Sequence, residues 1–244
     1  MKQIKSTLLM ITSASLMSLG CTSKPGPLGE KTIELDDFDF STSISEILPE
    51  RYKKNTEYGY EIYLVPSVSG ENVYERDSCR SYSTDEVLWI EYRHGMRSWT
   101  DEYLSMAGRT FNAANFATTL DGRIFVVSGF IDELTQAEND DFIAQLSKRY
   151  GEPEHTKNSF FIEDYDLYTW TLEDRTLKYA VATTDESNAV KFEVERNEAG
   201  ELTDIRPGER ETHLQSYFFV IDAAWKERFL ASGHPRSGDF VFCK

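Results

Sequence analysis

Histidine, cysteine and positive charge are in short supply in this 244-residue chain, with four His, three Cys and 26 Lys and Arg against 42 Asp and Glu. The resulting charge of −16 argues against electrostatic binding of nucleic acid or anionic lipid, because both targets are themselves negative. His94, His155, His213 and His234 are widely spread. None has the i, i+4 partner that sets two imidazoles on one helix face for zinc. His94 and His234 sit in turn-like sequence and read as surface positions. There is no Gly-x-Ser-x-Gly elbow, no Gly-rich phosphate loop ending in Lys, and no dinucleotide fingerprint. No catalytic residue, cofactor site or metal site is assigned on these grounds.

What is present begins with an address. Lys2 and Lys5 precede an apolar stretch from Leu8 to Leu19 that is too short and too polar to span a bilayer comfortably. Residues 1–20 therefore read as a secretory signal. Ser18-Leu19-Gly20-Cys21 resembles the lipobox of bacterial lipoproteins, although that family usually has Leu where Ser18 stands and a small residue where Leu19 stands. The resemblance implies cleavage before Cys21, lipid on Cys21, and a place on the periplasmic side of the envelope. Thr22, in place of an Asp, points to the outer membrane. An ordinary signal peptide that leaves Cys21 as a thiol is the alternative. Thr22 to Lys31 is rich in Pro, Gly and polar residues, as a flexible tether is.

With Cys21 set aside, Cys79 and Cys243 remain, and an exported chain tends to pair them as a disulfide. Two buried thiols are the other reading. Removing residues 1–20 takes away Lys2 and Lys5 and no acid, which leaves 24 basic against 42 acidic residues, a charge of −18.

The chain is 13% aromatic, and its body, residues 32–244, is too rich in core formers to be disordered. Apolar and polar residues alternate in Thr32–Phe40, Tyr168–Leu172, Leu177–Val181 and Val190–Val194, which predicts strands, and Tyr58–Val65, Val87–Tyr92 and Arg123–Ile131, the last introduced by the turn Asp121-Gly122, read as strands too. Gln136–Tyr150 predicts a helix: Thr135 and Glu138 stand at capping-box spacing, and Phe142, Ile143, Leu146 and Tyr150 share one face. Gly151 and Pro153 end it. Short helices are expected at Ser41–Leu48, at Thr100–Met106 and around Trp225 and Phe229. Asn197–Gly208 reads as a polar loop, Tyr217–Ile221 as a strand, and Phe240–Phe242 as a last strand. This order gives an α+β fold with mainly antiparallel β-sheet and a few helices. Tyr60-Glu61-Ile62-Tyr63 echoes Tyr165-Asp166-Leu167-Tyr168, so two similar lobes meeting near residue 120 are an open alternative to one domain.

Asp36-Asp37-Phe38-Asp39, Asn139-Asp140-Asp141 and Glu163-Asp164-Tyr165-Asp166 lack the ordered spacing and Gly of a calcium loop. Trp89, Trp99, Trp170 and Trp225 could stack on sugars, but the alternation of Tyr168 with Trp170 reads as core. Functionally, the expectation is a non-enzymatic envelope-anchored lipoprotein that binds a protein partner of basic character, such as an immunity-type inhibitor. Contact with the membrane would be through the lipid alone. A structural or assembly lipoprotein is the alternative, and a hydrolase of envelope polymers stands behind it.

Overall fold

β-branched and aromatic residues at alternating positions favour sheet over helix, and the chain follows that preference. A computed structural model describes residues 24–56, 59–68, 70–81, 83–95, 101–160, 163–185, 192–196, 202–207, 212–230 and 238–243. The first half supplies β1 (Ile33–Glu34), β2 (Lys53–Asn55), β3 (Glu61–Ser67), β4 (Gly70–Arg80), β5 (Val87–His94), β6 (Leu104–Met106), β7 (Arg109–Phe111) and β8 (Ala113–Thr118). The second supplies β9 (Ile124–Leu134), β10 (Glu154–Phe160), β11 (Glu163–Thr171), β12 (Arg175–Asp185), β13 (Phe192–Arg196), β14 (Leu202–Pro207) and β15 (Thr212–Asp222). Helices α1 (Ile44–Ile47), α2 (Gln136–Tyr150) and α3 (Ala223–Leu230) complete it, with 3₁₀ turns at Glu50–Tyr52 and Gly238–Cys243.

Ten strands form one antiparallel sheet in the order β10-β11-β12-β15-β9-β8-β5-β4-β3-β2. The junction near residue 120 is the turn between β8 and β9, which pair with each other at the middle of the sheet. Five strands lie on either side of it, and the echoed sequences fall on β3 and β11, each second from an edge. The sheet is continuous across the junction. The α+β class with mainly antiparallel sheet is what the structure has.

Both faces of the central strands are covered. One layer joins Phe116, Val127, Tyr179, Phe218 and Val220 to α1, the small β1-β6-β7 sheet, and Phe142 and Leu146 of α2. The opposite layer joins Ala117, Val126, Ala180, Phe219 and Ile221 to Phe229 of α3 and to Phe240 and Phe242 of the last 3₁₀ turn. Consecutive residues such as Phe218 and Phe219 thus enter different cores. That is why β9 and β15 read as unbroken apolar runs instead of alternating.

Four segments depart from the sequence expectation: of Thr32–Phe40, read as a strand, only Ile33–Glu34 is one. Leu104–Met106 is strand β6, not helix, because it pairs with β1 and β7 and all three residues are buried. Phe240–Phe242 lies in a 3₁₀ turn, where Phe242 stacks on Tyr217 with ring centroids 4.1 Å apart. Residues Leu202–Pro207 form β14, paired with β13 in the span read as loop. The α2 bounds and its capping box agree with the expectation: the Glu138 N–H donates to Thr135 Oγ1 and the Thr135 N–H to Glu138 Oε2.

Candidate functional site

At the end of the sheet where β8 turns into β9 and β11 into β12, residues 37–43 cross in front of the strands. Together they enclose an open groove of about 820 Å³. Its walls carry Asp37, Asp39, Asp121, Asp174 and Asp222, against the two guanidiniums of Arg123 and Arg175.

Both guanidiniums are tied to the fold, although the Arg123 side chain stays 46% exposed. Arg123 pairs with Asp222 and donates from Nε to the Phe40 carbonyl at 3.1 Å. Arg175 donates from Nε and Nη2 to Asp174 Oδ2 at 2.9 and 2.7 Å. It also donates from Nη1 to the carbonyls of Leu35 and Asp36, at 3.4 and 3.3 Å, and lies over the Phe40 ring. These arginines fasten the segment 35–40 to the sheet. Asp222 has a second duty at the start of α3, where its Oδ1 accepts from the Ala224 N–H at 2.9 Å. Arg123 and Arg175 neutralise Asp222 and Asp174, so the unbalanced charge of the groove is that of Asp37, Asp39 and Asp121.

The electrostatics point the same way. The Ser41 backbone N–H and hydroxyl, each 2.8 Å from a carboxylate oxygen, hold Asp39 below its ordinary pKa. The Arg175 guanidinium does the same for Asp174. General acid catalysis needs a carboxyl kept protonated near neutrality, and these two are shifted the other way. They suit attraction of a cationic surface.

A second polar cluster lies near the β3–β4 hairpin. Buried Asp101 accepts from the Val68 N–H at 2.8 Å and from Asn72 Nδ2 at 2.7 Å, and Asn72 also donates to the Tyr103 hydroxyl. Burial pushes Tyr103 up to about 12. The His94 ring packs against Tyr74 at 4.9 Å and Tyr103 at 5.9 Å, and both of its nitrogens are shielded from water. His94 is therefore a packed residue and not the surface histidine its turn-like sequence implied. This network braces a hairpin to β6.

The other expected positions separate. Cys21, Trp99 and His234 lie outside the described residues. Cys79 on β4 and Cys243 at the last 3₁₀ turn are both buried in the same apolar layer. Trp170 is a core residue, as its alternation with Tyr168 implied, Trp89 is buried too, and Trp225 stacks on Phe125 at 4.7 Å. His155 lies flat on Tyr168, with Nε2 2.7 Å from Asp166 Oδ1. Among the described residues no three His, Cys, Asp or Glu side chains gather as metal ligands. Arg123 and Arg175 carried no sequence signal beyond following the turns at Asp121-Gly122 and Glu173-Asp174. No family model, curated protein or solved structure is detectably similar to the chain.

Proposed function

We propose that this chain is an exported lipoprotein, held on the periplasmic side of the envelope through Cys21, that binds a protein partner of basic character without catalysing a reaction. An immunity-type inhibitor, waiting where a toxin arrives, is the form that fits best. The observation that carries the reading is charge: the mature chain has 24 basic against 42 acidic residues. Long-range attraction by such a surface accelerates encounter with a basic protein and suppresses wrong partners. The groove at the β8–β9 and β11–β12 turns supports the reading, because Asp37, Asp39 and Asp121 are left over once Arg123 and Arg175 have paired with Asp222 and Asp174.

The test has two parts. Membrane fractionation after a carbonate wash should retain the wild-type protein and release Cys21→Ser; retention of both would remove lipid from the account. Affinity capture by residues 21–244 from envelope extract should retain a basic protein, with weaker capture by a variant carrying Asp37→Asn and Asp121→Asn. If the purified chain instead degraded an envelope polymer, and one carboxylate substitution abolished that activity, the non-enzymatic reading would be wrong.

A further inference from the structure

We infer that the folded body begins no later than Leu28, so that a lipid on Cys21 would hold the acidic groove close against the bilayer, with a stalk of at most six residues, Thr22 to Pro27, between them. This rests on the reading of Cys21 as the lipidated residue. The sequence makes Thr22 to Lys31 a loose tether, but its second part is built into the fold. Leu28 is 0% exposed and belongs to the first core layer. Its N–H donates to the Ile47 carbonyl at 2.9 Å. Gly29 has φ +83°, and a Cβ there would stand 2.4 Å from the Pro66 carbonyl oxygen and 3.0 Å from Val65 Cγ1. Only glycine permits both that backbone and that approach to β3. Glu30 pairs with Arg51 at 2.5 Å, and the Thr32 hydroxyl donates to the Glu102 carbonyl at 2.9 Å.

The geometry that follows is tight. Cys21 lies seven residues before Leu28, so their Cα atoms are at most about 25 Å apart. Lys24 already pairs with Glu46 at 3.4 Å, and Pro25 and Pro27 stiffen the link to Leu28. A depression of about 430 Å³ is lined both by the stalk residues Lys24 to Pro27 and by Asp37 and Asp39, which also line the acidic groove. The groove and the stalk are therefore neighbours. A partner that uses this surface meets it at the membrane face, as a basic protein arriving at or crossing the bilayer would.

The test couples Cys21 of residues 21–244 to a maleimide-headed lipid in phosphatidylcholine vesicles; Cys79 and Cys243 are buried and shielded from the reagent. A donor dye is clicked to p-azidophenylalanine in place of the exposed Glu34, and acceptor lipid fills the membrane. Inserting about twenty Gly and Ser residues after Thr22 adds a coil of about 25 Å and should lower energy transfer. Gly29→Val, kept folded by circular dichroism, should lower it as well by freeing the docked segment. Transfer unchanged by the insertion would mean that the body already ranges freely, and would overturn the short stalk. Transfer lowered by the insertion but not by Gly29→Val would overturn docking at Leu28. Because the lipid is attached chemically, neither result depends on lipidation in the cell, which the Cys21→Ser fractionation decides separately.

Discussion

Gly129 sits in the middle of β9 without a turn to explain it. A Cβ there would lie 2.7 Å from Phe111 Cγ, and Phe111 is wedged against Phe218 and Phe142 with ring centroids 5.5 and 6.0 Å apart. The glycine is a socket for a ring that arrives from β7. Gly129→Ala should therefore destabilise by about 1–3 kcal/mol, the usual cost of overpacking a filled core, as a lowered urea midpoint with an unchanged slope. An unchanged midpoint would mean that Phe111 moves aside freely. Nothing in the sequence marked this contact, because Gly129 and Phe111 belong to elements that meet only through the tertiary fold. The cysteines are a case where sequence and structure address different questions. Parity and compartment propose the Cys79–Cys243 bond, and the structure shows burial of both. Labelling denatured, unreduced mature protein is expected to find neither thiol; labelling at both positions would contradict the bond.

At the level of elements, α2 was legible because everything that makes it is local. Thr135 and Glu138 cap it, Phe142 and Leu146 fix its buried face, and Gly151, at φ +86°, ends it. Thr135→Ala should cost about 1 kcal/mol, read by thermal or urea unfolding, and a neutral result would show that the first turn is held by packing alone. The elements misread are those whose state depends on distant partners. Leu104–Met106 is too short for periodicity to separate strand from helix, and β1 and β7 decide it. Charged β4, Gly70–Arg80, escapes an apolar template although both of its neighbours hold it in the sheet. The groove was illegible for the same reason. Asp37, Asp121, Asp174 and Asp222 come from four separate segments, and the arginines that assemble them, Arg123 and Arg175, looked like ordinary turn residues.

For the whole molecule, burial of tyrosine sets the alkaline limit, and under the proposed function acidity would set the encounter with a partner. Burial pushes Tyr63, Tyr103, Tyr150 and Tyr179 each up to about 12, against about 10 in an unfolded chain. A raised folded pKa contributes stability that is fully present below the unfolded value and is lost as pH rises through the folded one. Stability should thus decline between about pH 10 and about pH 12, with tyrosinate absorbance and loss of circular dichroism rising together. Titration of these tyrosines near pH 10 in a still-folded protein would contradict their burial.

Acidity is the central claim, and it belongs to rates. If carboxylates steer a basic partner to the groove, attraction acts mostly before contact, and salt within the Debye range screens it. The decisive measurement is surface plasmon resonance of residues 21–244 against the protein that envelope capture retains, across a series of salt concentrations. The account predicts an association rate that falls steeply as salt rises, a dissociation rate that hardly changes, and a shallower salt dependence for the Asp37→Asn, Asp121→Asn variant. An association rate that stays constant from low to physiological salt would contradict it.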